Sequence, residues 1–241
     1  MALPGLVAAK NLADVTDRER AWDSLGLNIN ADTPFDNRLA GIPLGGGYFA
    51  GLISHTADGN ATHALIVAPK SGEFSGGPWK TSLTITPGAS SSFDGFQNTQ
   101  AIIAAGISNF PIANACVNFR GGGFTDWYLP AALELEIAYR AFKPSTASNN
   151  LTSGVNPYAV PTATGTYSAN VPGQTLVSNF KEGQADAFLF VEGDKRYWSS
   201  TEINAASASA VIFSDGTIFG LAKNNNPRMA RPFRRIALDA L

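Results

Sequence analysis

Residues 121–140 read GGGFTDWYLPAALELEIAYR. A glycine-rich turn leads into Asp126 and Trp127, and a run carrying Glu134 and Glu136 follows. Acids beside an aromatic ring either perform chemistry or hold a fold together, and here the spacing favours scaffolding. Paired carboxylates do acid–base work when they face one cleft. Glu134 and Glu136 are two positions apart on a helix and point in different directions. Asp126 precedes the helix, where a carboxylate can accept from free backbone N–H groups. Trp127 and Leu129 fill core beneath it. Pro130 suits the first helical position, and the helix is expected to reach Phe142 and end at Pro144. Leu133, Ile137 and Phe142 make its apolar face, while Glu136 and Arg140 pair i,i+4 on a solvated face.

Outward from this helix, two further helical patches precede it. NTQAIIAAG runs from an Asn98 cap to Gly106, and FPIANACVNF opens on Pro111. Upstream, GGYFAGLIS and HALIVAP read as strands joined through Asp58-Gly59. Residues 70–96 are polar and glycine-rich, which predicts loops with one strand around Leu83. From Pro144 to Asn179 runs a long polar stretch, either an exposed functional loop or a closely packed Ω-type excursion. The last third is a strand meander: DAFLFVEG, RYWSSTE, ASAVIFSDG, TIFGLAK and RPFRRIAL, with Asp215-Gly216 as a second hairpin signal.

The amino end differs. NLADVTDRERAWDSLGL carries helix signals, with Asp14 or Thr16 as cap and Gly26 as stop. Val15, Ala21, Trp22 and Leu25 give a partial apolar stripe, so this short helix is expected to pack on the body or on a neighbouring chain. The domain division is therefore a segment over residues 1–40 and a head over residues 41–241.

The 241 residues are 44% hydrophobic, ample for one core, but only 15% charged. Surface polarity must come from neutral Ser, Thr and Asn groups. A net charge of -2 provides no basic field for nucleic acid. The single cysteine, Cys116, excludes an intrachain disulfide and reads as a buried thiol. MALPGLVAAK lacks the basic and apolar regions of a secretory signal, and no apolar run is long enough to cross a bilayer. Synthesis in a cytoplasm is expected.

Other residues that invite chemistry have plainer readings. His55 and His63 face each other if the hairpin loop has three residues and lie on opposite faces if it has two. A metal site there would need further ligands. Ser199, Ser200 and Thr201 lack a nucleophile elbow and a partner histidine. GIPLGGGY lacks the lysine and helix start of a phosphate cradle. Among Arg228, Arg231, Arg234 and Arg235, one of the adjacent pair 234/235 is expected to point inward toward an acid such as Glu202. Lys223 to Asn226 form a polar tip suited to a turn or to hydrogen-bonding a ligand.

The order GGGFTDWYLPAALELE, YWSSTE, VIFSDGTI, RPFRRI resembles the bacterial and phage DUF1566 family, or Lcl C-terminal domain. Asp126, Trp127, Tyr128, Leu129, Pro130, Glu134 and Leu135 match its first motif. Tyr197, Trp198 and Ser199 to Thr201 match the second, Asp215 and Gly216 the third. Arg231, Arg234 and Arg235 resemble the last. The resemblance implies an α+β, C-type-lectin-like fold: two or three helices against a twisted antiparallel sheet with a long loop excursion. The tripeptides of calcium-dependent sugar binding are missing, so no metal or other cofactor is implied. Some relatives of that fold carry variable ligand contacts in the C-terminal strands. This points to INAASASA and KNNNPRM: Asn204, Ser207, Ser209, Lys223, Asn224, Asn225, Asn226 and Arg228.

NLADVTDRERAWDSLGL is similar to the N-terminal signature of phage tail-fibre proteins, through Asn11, Leu12, Asp14, Ala21, Leu25 and Gly26, with Trp22 on the same segment. The likeness implies attachment to other virion tail proteins or trimerisation there. The expectation is a non-enzymatic phage tail fibre, a homotrimer located in the virion tail. Its lectin-like head would meet a host-surface receptor by many weak contacts multiplied across heads, with no nucleic-acid binding and no membrane insertion. The alternative is a structural virion adaptor or capsid decoration. A bacterial adhesin and a glycan hydrolase are further readings, opposed by the missing signal sequence and by the lack of a catalytic constellation.

Overall fold

The structure, a computed structural model, describes residues 39–190, 196–224 and 228–238. The expected attachment segment, with Asn11, Leu12, Asp14, Trp22 and Leu25, lies outside the described residues, as do Asn225 and Asn226. The described part is a mixed α+β fold of two sheets and three α-helices. No helix among the described residues is long and apolar enough to cross a membrane.

The first sheet has the order β1 (Pro43–Leu44), β2 (Gly47–Ile53), β3 (His63–Val67) and β10 (Phe233–Ala237), with β5 (Ala159–Val160) also on β2. The second has the order β4 (Phe74–Gly77), β9 (Arg228–Ala230), β6 (Arg196–Glu202), β7 (Ser207–Ile212) and β8 (Ile218–Ala222). Pairing is antiparallel throughout, apart from a parallel contact of β6 with β9. The last strand thus returns to the sheet built by the first ones, closing the domain across its whole length.

Helix α3 (Ala132–Phe142) lies against β2 of one sheet and against β6 and β7 of the other. Its buried face holds Leu135, Ile137, Ala138, Tyr139 and Phe142, in one core with Leu65, Val67, Tyr197, Val211 and Phe233. Helices α1 (Gly95–Ala104) and α2 (Pro111–Asn118) cover a second core around Trp79, Trp198 and Leu129. Trp127 is buried in a third cluster with Phe49 and Ile66. Trp127 and Leu129 therefore fill core, in two different clusters.

Local chemistry explains the boundaries. Pro111 opens α2 as expected. Helix α1 begins three residues before Asn98, because Asp94 Oδ1 accepts the Gln97 N–H at 2.8 Å and caps it. Asn98 instead turns inward, holding Ser91 and Ser200. Helix α3 starts at Ala132, two residues after Pro130. Ala131 has no side-chain acceptor, so Glu134 Oε2 takes the Ala131 N–H at 2.7 Å and Thr201 Oγ1 takes that of Ala132 at 3.1 Å. The residues around Leu83 form a loop and the strand nearby is β4; the described part of DAFLFVEG, residues 186–190, is irregular. The Asp215-Gly216 turn joins β7 to β8 as expected. Gly216 has φ 76°, and a Cβ there would come within 2.5 Å of Tyr139, so only glycine fits.

The long excursion after α3 is packed. Glu136 is buried, not solvated: its carboxylate accepts from Arg140 Nε at 2.5 Å, Tyr167 OH at 2.6 Å and Asn156 Nδ2 at 2.7 Å. Lys143 is buried too, donating to Asn149 Oδ1 at 2.8 Å, Pro172 O at 3.2 Å and Ala147 O. Side chains from the second half of α3 and from its C-terminal cap thus anchor the excursion to the body by buried hydrogen bonds.

Candidate functional site

The three acids of the 121–140 segment do not share a cleft. Asp126 forms a two-pronged pair with Arg234, at 2.5 and 2.8 Å. Glu134 is fully buried and accepts from Tyr128 OH at 2.8 Å and from the Ala131 N–H. Burial pushes its carboxyl up to about 8, with the two hydrogen bonds opposing. Glu136 belongs to the loop joint. Ser199, Ser200 and Thr201 are buried within sheet and helix contacts: Ser199 Oγ donates to Ser209 O at 3.0 Å, and Thr201 Oγ1 to Ser91 O at 2.8 Å.

Arg231, Arg234 and Arg235 find partners other than Glu202. Arg235 Nη1 donates to Asp94 Oδ1 at 2.8 Å, and Arg231 Nη2 lies 3.0 Å from Glu73 Oε2. Tyr197, the tyrosine of the second motif, donates to Glu73 at 2.6 Å and accepts the Leu189 N–H at 2.8 Å. Trp198 is buried in the second core.

Glu202 instead meets Lys223 at the far end of the second sheet. Lys223 Nζ lies 2.6 Å from Glu202 Oε1 and donates to Thr84 O at 2.8 Å. Both Glu202 oxygens accept the Thr86 N–H, at 3.0 and 2.8 Å. Lys80 Nζ donates to Thr84 O at 2.9 Å, Ile85 O at 3.3 Å and Thr86 Oγ1 at 2.9 Å. Burial and then the neighbouring Lys223 hold the Lys80 ammonium below its usual pKa. Three buried charged side chains therefore fix the backbone of residues 84–86. The loop displays Leu83 and Ile85 outward, 48% and 55% exposed, among exposed Thr81, Ser82 and Thr84.

The expected ligand residues divide at this end. Asn204 and Asn224 are exposed, and Ser207 is half-buried. Asn204 Oδ1 accepts the N–H groups of Ala206 and Ser207, each at 2.9 Å, which shapes the β6–β7 turn. Lys223, Ser209 and Arg228 are buried, so their side chains do not line an open surface. Lys223 is a structural cation, holding the loop from beneath. Leu83 and Ile85 were not expected as ligand residues, and Ile203 lay in the expected INAASASA segment without being singled out. Their signal was weak: isolated aliphatics in a Ser/Thr-rich run read as strand, not as display.

A second polar cluster lies at the base of the β2–β3 connection. Strand β2 ends at Ile53 and pairs it with His63, so residues 54–62 connect the strands in place of a short hairpin turn. The His55 and His63 rings lie 4.5 Å apart. His55 Nε2 faces Arg235 Nη1 at 3.5 Å, and its Nδ1 is 3.8 Å from Asp94 Oδ2. Since Arg235 can only donate, Nε2 is the acceptor and Nδ1 carries the proton. Burial lowers the His55 pKa below 6.5. Among the described residues, no group of three or more His, Cys, Asp or Glu is gathered as a metal site. Cys116 is buried in the second core, and burial raises its thiol pKa.

No protein-family model and no curated protein matches this chain. The two arrangements differ in what they can do. The histidine cluster pairs its charges internally. The end of the second sheet offers a neutral, firmly held surface of aliphatic, hydroxyl and amide groups, suited to binding rather than to proton transfer.

Proposed function

We propose that this chain is a phage virion protein, a tail fibre whose C-type-lectin-like head attaches to a host-surface receptor, glycan or protein. The observation that carries the proposal is the use made of the family-like residues. Asp126 and Arg234 tie the first motif to the last. Tyr128 and Glu134 close the start of α3, and Tyr197 joins β6 to Glu73. Trp127, Leu129 and Trp198 are core. The residues that resemble the DUF1566 pattern thus serve as joints. The loops around Leu83, Ile85, Asn204 and Asn224 are left as the displayed surface, which is how a scaffold that presents variable contacts is built.

Single contacts of this kind are weak, and several heads on one virion would multiply them. The test is binding of the labelled full chain to intact bacteria and to purified envelope polysaccharides. Ile85→Asp and Asn224→Ala are expected to lower binding several-fold without changing the melting temperature. Lack of binding across such a panel, with antibodies labelling a virion site away from the tail tip, would replace this proposal by the structural adaptor.

A further inference from the structure

Among the described residues, the exposed strand edges of the two sheets are blocked in all cases but one. Strand β1 is two residues long and begins with Pro43; β5 is two residues long and is followed by Pro161. Strand β10 carries Arg234 and Arg235 and takes Tyr128 as a bridge partner at Phe233. The register of β4 is broken between Ser75 and Gly77, and Pro78 follows. These are the devices by which proteins prevent edge-to-edge pairing. Strand β8, Ile218–Ala222, has none of them. Its sequence IFGLA is uncharged, contains no proline, and pairs with β7 in unbroken register.

The outward groups of β8 can be identified. Ile212 N–H donates to Thr217 O at 3.0 Å, and Lys223 N–H donates to Ala206 O at 2.9 Å. In an antiparallel ladder the bonding direction alternates, so Phe219 and Leu221 also face β7, while Ile218, Gly220 and Ala222 face away. Among the described residues no strand lies on that side. Gly220 and Ala222 are exposed. Ile203, 52% exposed, sits over Gly220, its Cδ1 3.0 Å from where a Cβ would stand.

We propose that the β8 edge docks a second copy of this chain, the two β8 strands pairing antiparallel about Gly220. The backbone pattern demands an extended strand, and the strand fits itself. With Gly220 opposite Gly220, each Ile218 faces the other copy's Ala222, and all outward N–H and C=O groups exchange hydrogen bonds. Phe219 comes beside the other copy's Leu221, extending the partly covered apolar surface of the second core across the junction. No like charges are opposed. Such a two-fold contact is self-complementary. It is small beside a standard interface of roughly 1,600 Å², so it is reversible and concentration-dependent. It is independent of the receptor proposal.

The test combines sedimentation and amide hydrogen exchange on the full chain, from micromolar to near-millimolar concentration. The expected result is a doubling of mass, with exchange at Ile218, Gly220 and Ala222 slowing several-fold over the same range. Gly220→Lys places two ammonium groups face to face, and the one tight contact of its Cβ is with the flexible end of Ile203, Ser207 lying at ordinary contact distance. It should abolish both effects with an unchanged melting temperature. Ala222→Lys, at an exposed position, should do the same if the first variant folds poorly. Mass that does not change with concentration overturns the proposal, and so does self-association that leaves those amides exchanging freely.

Discussion

Arg234 and Asp126 are held by two parallel hydrogen bonds, 2.5 Å from Nε to Oδ1 and 2.8 Å from Nη2 to Oδ2, across 108 residues of chain. The guanidinium also lies 3.6 Å from the centre of the Phe124 ring and donates to Gly45 O at 2.6 Å. A planar fork with five donors serves all of these partners, and an ammonium cannot. Arg234→Lys is expected to destabilise the protein by about 2 kcal/mol in urea unfolding. Asp126 is 45% exposed on its side chain, so solvent screens it, and Asp126→Asn should cost only about 1 kcal/mol. Equal losses for the two variants would show that the carboxylate is the main partner.

Glu134 makes stability depend on pH in the alkaline direction. Its carboxyl is raised from 4.5 to about 8 in the fold, so the native state keeps a proton that the unfolded chain releases. Unfolding then releases a proton, and stability falls as pH rises from about 4.5 to about 8. The loss is of order a few kcal/mol. Glu134→Gln keeps an acceptor oxygen for the Ala131 N–H and turns a donor toward the Tyr128 hydroxyl, which can accept, and it cannot ionise. Chemical denaturation at stepped pH should give a flatter profile for this variant. An unchanged slope would mean that Glu134 is ionised in the fold.

His55 acts in the opposite direction. Burial lowers its pKa below 6.5, Arg235 lowers it further, and Asp94 opposes. The unfolded chain therefore binds the proton first, and stability is lost as pH falls below about 6.5. Just below 6.5 the two groups act in opposite directions; above 6.5 Glu134 acts without His55. His55→Asn should remove the acid-side loss. NMR titration of the His55 ring gives the same quantity directly, and a pKa at or above 6.5 would contradict the prediction.

Lys223 and Glu202 are a buried pair, with Thr84 and Thr86 as further partners. Lys223→Met leaves the Glu202 carboxylate without its cation and should cost about 3 kcal/mol, because a buried charge is left uncompensated. Adding Glu202→Gln should recover part of that loss. Amide exchange at Thr86 is expected to speed up in the single variant. If the displayed loop is the receptor surface, binding will fall with it.

The joint between α3 and the long excursion gives a protease prediction. Glu136→Gln keeps one acceptor oxygen for Arg140 and Tyr167 and loses the one that takes the Asn156 amide, whereas Lys143→Met removes all three hydrogen bonds that its ammonium donates to Ala147 O, Asn149 Oδ1 and Pro172 O. Limited proteolysis should cut within residues 144–180 much faster in Lys143→Met than in Glu136→Gln. Equal resistance in both would place the loop's stability elsewhere.

Much of the local structure was legible in the chain itself. Pro111 opens a helix, RYWSSTE and ASAVI are strands, and Asp215-Gly216 turns between two of them, because fixed φ, alternation and left-handed glycine are properties of a few neighbouring residues. The same reasoning placed Trp127 and Leu129 inside. It missed wherever the answer lay far along the chain. Asp94 outcompeted Asn98 as a cap, because Ser91 and Ser200 drew the Asn98 side chain inward. Glu136 looked solvated until the excursion folded over it. Which acid meets which base — 126 with 234, 94 with 235, 73 with 231, 202 with 223 — follows from strand order, which brings together residues that no local pattern relates. Composition alone determined that the surface is poor in charge. Tertiary packing decided that Lys223 is a buried support and that Leu83 and Ile85 are displayed, since burial depends on which strand and loop arrive alongside.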